Sequence, residues 1–157
     1  MGSFSGVTNY FAMIGEKTSD LEEKCGYYGE RLVLLAQQLG LNTCWVAMTY
    51  SKIKSAFVIN PGEKLCIVIA LGYGENQGVP HKSKPGSSVM KADGVTPEWF
   101  KKGIDVALLA PTAMNQQKFQ FTLKENRVLA KAGIGFYSKK FGSRCSKGSL
   151  QHACFFH

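Results

Sequence analysis

Two periods of apolar positions run along this chain and divide it into strands and helices. Val7–Ile14, VTNYFAMI, is dense in β-forming residues and stops at Gly15, which predicts a strand. Ser19 or Asp20 then offers an N-cap, and acidic Glu22 and Glu23 follow in the first turn. From Leu21 to Leu39 the apolar residues Cys25, Tyr28, Leu32, Leu35, Ala36 and Leu39 fall at a spacing of three or four, which predicts a helix buried along that stripe. Gly26 and Gly29 sit inside it. Each lowers helix stability relative to Ala, so the pair is best explained by another backbone packing closely there. Gly40 fits the left-handed position just past the helix end.

Beyond Gly40 the pattern becomes strand-like only in places. Ser51–Phe57 suits one or two short helical turns, and Asn60-Pro61-Gly62-Glu63 is a turn by composition. Leu65–Leu71, LCIVIAL, is a continuous apolar run without alternation, which predicts a central strand covered on both faces. Residues 72–88 read as a Gly/Pro/Ser-rich loop too polar to pack. Thr96-Pro97-Glu98 gives an N-cap, a proline at N1 and an acidic first turn, so a second helix is predicted from Pro97 to about Leu109, with Pro111 ending it. Phe119–Leu123 and Val128–Ala130 flank Lys124–Arg127 as a hairpin, and Gly135–Tyr137 suits a last strand. After Ser138 neither period persists. Residues 1–138 therefore read as one domain and 139–157 as a basic, disordered or non-native tail.

Composition narrows the class. The chain has 157 residues, 45% of them hydrophobic, enough for one soluble core and without the ~20-residue apolar run that spans a bilayer. The opening MGSFSG lacks the charged and apolar regions of an export signal, so the expected compartment is the cytoplasm. Five cysteines without C-x-x-C spacing argue for reduced thiols, with Cys66 a small core residue. A net charge of +8 suggests a polyanion partner, but Lys139, Lys140, Arg144 and Lys147 supply half of it from the tail. No helix carries a basic face interleaved with aromatics, so neither nucleic acid nor membrane is expected as a partner.

Three segments carry candidate chemistry. The first is Leu39–Val46, LGLNTCWV, followed by the apolar run through Leu71; it reads as a helix end leading by a loop into a central strand. A buried Trp45 anchoring that loop is the plain alternative to a functional one. The second is Lys82-Ser83-Lys84, two cations in a Gly/Pro loop. Such a pair is either a solvated surface or a clamp giving charge-assisted hydrogen bonds to a phosphate. The third is Ala110–Phe119, APTAMNQQKF. Here a proline-terminated helix frees the following hydroxyl and amide from regular bonding, and a capped helix end with a polar turn is the plain reading.

In order and spacing these segments resemble the FMN-dependent nitroreductases, continuously from about Gly6 to Met90 and again at Ala110–Phe119. The resemblance implies an α+β fold with a mixed or antiparallel sheet and the Leu21–Leu39 helix packed centrally. It implies FMN as cofactor, with the Trp45, Val46, Ala47 and Met48 backbone along the N5 edge of the ring. A backbone N–H there stabilises negative charge on reduced flavin. Lys82 and Lys84 match the family's Lys-x-Arg pair, which holds the phosphate and the pyrimidine side; lysine at 84 gives up the bidentate geometry of arginine. Pro111, Thr112 and Asn115 match the family phrase in which a helix ends at Ala-Pro-Ser and is followed by Asn and Gln-Pro-Trp; Lys118 in place of the proline and Phe119 in place of the tryptophan depart from it.

In ordinary members that phrase precedes the LGLNTCWV region, whereas here it follows. The order fits a subfamily in which the fold is duplicated in one chain and imitates the usual homodimer. A full-length member begins with an Arg-x-Ser-x-Arg segment and a first Ala-Pro-Ser phrase. Neither occurs in this sequence, so the expectation is an interior piece with an unrelated tail. The activity implied is electron transfer from NAD(P)H through FMN to a small nitroaromatic or quinone-like acceptor. No protein acid, base or metal ligand is assigned, and His81 reads as a loop residue. The competing reading is a non-catalytic remnant, at most a weak flavin-binding or subunit-interaction module. Either form could self-associate, as a homodimer, through an exposed half-fold face.

Overall fold

The computed structural model describes residues 6–46, 56–76, 78–125 and 127–133. The chain divides into two compact units, Met1–Gly78 and Val79–His157, with the boundary inside the polar loop.

The first unit is an antiparallel sheet with one helix against it. Strand β1 (Asn9–Glu16), helix α1 (Leu21–Gln38), strand β2 (Asn42–Val46) and strand β3 (Glu63–Gly72) follow in chain order, and the sheet runs β1-β3-β2. The apolar run lies at the centre, as its unbroken hydrophobicity predicts, and Cys66 to Ala70 are buried consecutively. β1 continues through Gly15 instead of stopping there, because the ladder pairs Gly15 with Lys64 and Glu16 with Glu63 beyond a bulge at Met13/Ile14. Ser51–Ser55, most of the segment suited to a short helical turn, lies outside the described residues.

Two readings of this unit change. Asn42–Val46 is a strand, not a loop; Trp45 pairs with Ile69 and Val46 with Val68. The buried face of α1 is also rotated. Leu21, Cys25, Gly26, Gly29 and Ala36 are inside, while Tyr28, Leu35 and Leu39 are exposed. Gly29 supplies the reason for the rotation, but what packs on it is not the backbone expected there: it is a pair of sheet side chains, Trp45 and Ile69. A Cβ built on Gly29 would overlap the Trp45 ring edge and sit 3.1 Å from Ile69 Cδ1. Gly29→Ala is therefore expected to cost about 1–3 kcal/mol through overpacking. A denaturant melt checks this, and pairing the change with Trp45→Leu should return part of the loss.

At the ends of α1, Asp20 is the N-cap residue but makes no side-chain cap bond, and Gly40 takes φ +76°. The Lys24 ammonium, 2.8 Å from the Asp20 carboxylate, holds that carboxyl down from its ordinary 3.8 to about 2. This support is present above pH 3.8 and fades as the pH falls through 2. Glu30 behaves in the opposite way. Its Oε2 is buried without a partner, as is Trp45 Nε1, and burial pushes the Glu30 carboxyl above its ordinary 4.5. An acid with a raised folded pKa opposes folding once the pH passes its unfolded value. Glu30→Gln should therefore raise the melting temperature at pH 7, with the gain vanishing below pH 4.5.

The second unit is a mixed sheet with its own helix. It contains β4 (Met90–Ala92), α2 (Glu98–Leu109), β5 (Phe119–Lys124) and β6 (Arg127–Ala132), with sheet order β4-β5-β6. β4 pairs parallel to β5, and β5 forms the expected hairpin with β6. The strict alternation of Phe119, Phe121 and Leu123 turns their side chains into a core with Val89, Phe100, Ile104, Ala107 and Leu108. α2 begins one residue later than predicted, with Pro97 as its N-cap. β4 has only three residues and leaves no readable pattern; Val89 before it is held by a bond from Phe121 N–H to Val89 O of 2.8 Å. Residues 135–137 and the tail after Ser138 lie outside the described residues. The two units together make the fold α+β, with one antiparallel and one mixed sheet, as the resemblance implies.

Candidate functional site

Pro111 stops α2, and its last carbonyls need partners from elsewhere. The basic loop and Gln117 supply them. Leu108 O accepts from Gln117 Nε2 at 3.2 Å and from Ser83 Oγ at 3.5 Å, while His81 Nε2 lies 3.3 Å from Leu109 O. So the 81–84 stretch is not simply a polar loop beside the fold. Its short side chains are fastened to a helix end, which composition alone could not indicate.

The segment after Pro111 is wound tightly. Asn115 N–H donates to Thr112 O at 2.9 Å, closing a short 3-10 turn over Ala113–Asn115. Met114, Asn115 and Gln117 all have positive φ, at 53°, 52° and 44°. Three non-glycine residues in left-handed conformations within four positions hold strain that the surrounding bonds must maintain. Those bonds run to the basic loop. Asn115 Nδ2 donates to Lys82 O at 2.8 Å, Lys84 N–H to Gln117 Oε1 at 2.7 Å and Lys84 Nζ to Gln117 O at 3.2 Å. Thr112 Oγ1 accepts from Gln117 N–H at 3.0 Å, which leaves its own hydroxyl proton to donate.

Lys82, Lys84, Pro111, Thr112 and Asn115 are thus assembled in one place within the second unit. Trp45 and Val46 belong to the first unit and lie on β2, half-buried and buried respectively. Trp45 packs on Gly29, the anchoring role that its plain reading gave it, although in a strand. Ala47 and Met48 lie outside the described residues. Gln117 was not singled out in the sequence. It is polar yet only 1% exposed, and every polar group it owns is engaged. Nothing in the apolar pattern marks it; only its place in APTAMNQQKF does.

Electrostatically, the exposed charges gathered at this end of α2 are the ammonium groups of Lys82 and Lys84. The carboxyl end of α2 is the negative pole of the helix dipole; it favours the nearby lysines and repels an anion. Affinity for a phosphate would have to come from Lys82, Lys84 and the hydroxyls around them. Among the described residues no group of His, Cys, Asp and Glu could hold a metal ion, and no helix is long and apolar enough to cross a membrane.

The α+β architecture is the one that the nitroreductase resemblance implied, whereas the fastening of the basic loop to the proline-ended helix was not part of it. The family model described as "Putative TM nitroreductase" matches residues 1–146, and the chain belongs to that family. A crystal structure from Thermotoga maritima described as a "putative nitroreductase" superposes with a TM-score of 0.67 at 23% identity, over 92% of this chain and 58% of that one. That likeness shows the fold, and this chain spans less than two thirds of the relative's length. No curated protein matches the chain.

Proposed function

We propose that this chain forms part of an FMN-dependent oxidoreductase of the nitroreductase type, moving electrons from NAD(P)H to a small nitroaromatic or quinone-like acceptor. The observation that carries the reading is the junction of Lys82 and Lys84 with Asn115 and Gln117 across the end of α2.

The donor set fits the phosphate end of FMN. Lys82 and Lys84 are exposed cations, and an ammonium engaged once, as Lys84 is, retains two further protons to donate. Thr112 keeps a hydroxyl proton that would be free to donate to a flavin carbonyl, and the backbone leading into Pro111 is extended, with Ala110 at ψ 135°. The assignment of Trp45, Val46, Ala47 and Met48 to the N5 side rests on the family resemblance alone, and Ala47 and Met48 lie outside the described residues. Trp45 itself is committed to packing, so its contribution there is the strand it anchors. Bound FMN would supply the two-electron chemistry. No side chain is assigned a proton-transfer role.

The exposed stripe Tyr28, Leu35 and Leu39 is the face through which a second copy would associate, and thiols at Cys25 and Cys66 suit the cytoplasm. The second reading, a remnant that folds without turnover, draws on the chain spanning 58% of its structural relative. Steady-state oxidation of NADH and NADPH with added FMN and a quinone or nitroaromatic separates the two. Saturable consumption dependent on both FMN and acceptor is expected; rates no higher than those of free FMN would leave the remnant reading.

A further inference from the structure

We infer that Gln117 is the positioning residue of the anion seat: it clamps Lys84 at both ends and so aims that ammonium at a phosphate. The inference rests on the flavin reading for the identity of the ligand, but not for the clamp itself.

The chemistry is visible residue by residue. Gln117 Oε1 takes the backbone N–H of Lys84 at 2.7 Å, which fixes where the lysine leaves the loop. Gln117 O takes Lys84 Nζ at 3.2 Å, which fixes where its charge ends. A lysine stem has four rotatable carbons and ordinarily spreads its charge over many rotamers. Bonds at both ends to one residue restrict it before any ligand arrives, and this reduces the ordering cost of binding.

Gln117 can do this because it is itself held. Its Nε2 donates to Leu108 O at 3.2 Å and its N–H to Thr112 Oγ1 at 3.0 Å, within a segment wound through left-handed φ. The side chain is 1% exposed, so it cannot touch a ligand in solvent and must act through Lys84. A buried amide whose acceptor, donor and backbone are all occupied is costly to replace with a hydrocarbon, since the Lys84 N–H and Leu108 O would each lose a partner. The wound segment brings the amide oxygen and the main-chain oxygen of one residue to bear on the same lysine, whereas a regular helix or strand would occupy that carbonyl in its own ladder.

The test compares ligands with and without phosphate. In the wild type, FMN should bind more tightly than riboflavin, and inorganic phosphate should compete with FMN. Gln117→Met should weaken FMN about tenfold, the size of one lost charge-assisted hydrogen bond, while leaving riboflavin within about twofold. In a Lys84→Met background the same change should do almost nothing further to FMN, because the group it positions is gone. Equal loss of both flavins, or additive effects of the two substitutions, would reduce Gln117 to a structural role and overturn the inference.

Amide exchange on the unaltered protein keeps the test independent of how well Gln117→Met folds. The Lys84 amide should be protected relative to Lys82, and exchange at an open-loop rate would overturn the clamp. Failure of the flavin reading has a different signature. Phosphate that binds the wild type and is lost with Gln117→Met, without FMN binding, would sustain the clamp and discard the flavin. A wild type that binds neither FMN nor phosphate would overturn both.

Discussion

Phe121→Ala should cost the second unit about 3–5 kcal/mol, the usual range for emptying a fully buried aromatic site. Phe121 is 1% exposed and lies between Phe119 and Leu123 on the inward face of β5, with α2 above it through Phe100, Ile104 and Leu108. The Phe119 ring, 5.2 Å away, would lose its aromatic neighbour as well. Small domains have a total stability of only about 5–15 kcal/mol, so this one change should remove much of the unit's margin. Chemical denaturation followed by near-ultraviolet circular dichroism checks it; a midpoint shift corresponding to under about 1 kcal/mol would show that the site collapses around the cavity. The consequence reaches the proposed function, because β5 begins two residues after Gln117 and the same core seats α2 beneath the basic loop.

The second large effect concerns the charge of the seat. Replacing both Lys82 and Lys84 with alanine should weaken FMN about a hundredfold or more, since each charge-assisted bond to phosphate is worth about 1.5–3 kcal/mol. Both residues are exposed and their backbone bonds to Asn115 and Gln117 Oε1 remain, so the bond lost within the fold is the one from Lys84 Nζ to Gln117 O, and a melt run alongside separates its cost from the loss of binding. The loss should shrink as salt rises, because exposed charges are screened beyond about 10 Å at 0.1 M. Flavin fluorescence titrations at two ionic strengths measure both quantities. Equal affinity for the wild type and the double variant at low salt would place the phosphate elsewhere. Lys84→Arg is an informative companion: a guanidinium could grip phosphate bidentately, but its planar fork has to satisfy Gln117 O as well.

Much of the fold was legible because burial imposes a period. The unbroken run at Leu65–Leu71 pointed to a central strand, the two β-like runs around Lys124–Arg127 pointed to the hairpin, and Pro111 marked the end of α2. What escaped has physical reasons. β2 is five residues long and exists because β3 offers it a partner edge, which is a tertiary fact. The α1 stripe was misplaced because the period was read from the large apolar residues, whereas the buried face includes Gly26 and Gly29, and Gly29 meets Trp45 and Ile69. For the site, the basic pair and the Pro-Thr…Asn phrase were readable as chemistry, yet their meeting depends on left-handed turns at Met114, Asn115 and Gln117 that no propensity for those residues announces. Gln117 was invisible for a related reason: a buried glutamine looks like any surface glutamine until its partners are known.

The most direct measurement is an absorbance spectrum of the purified chain mixed with FMN and then passed through an ultrafilter that retains the protein. A flavin band that stays with the protein, shifted from that of free FMN, is the expected result and would mean that the Lys82, Lys84, Thr112 and Asn115 cluster holds the cofactor. Recovery of all the flavin in the filtrate, with the protein folded, would contradict it and leave a nitroreductase-family fold without the chemistry proposed for it.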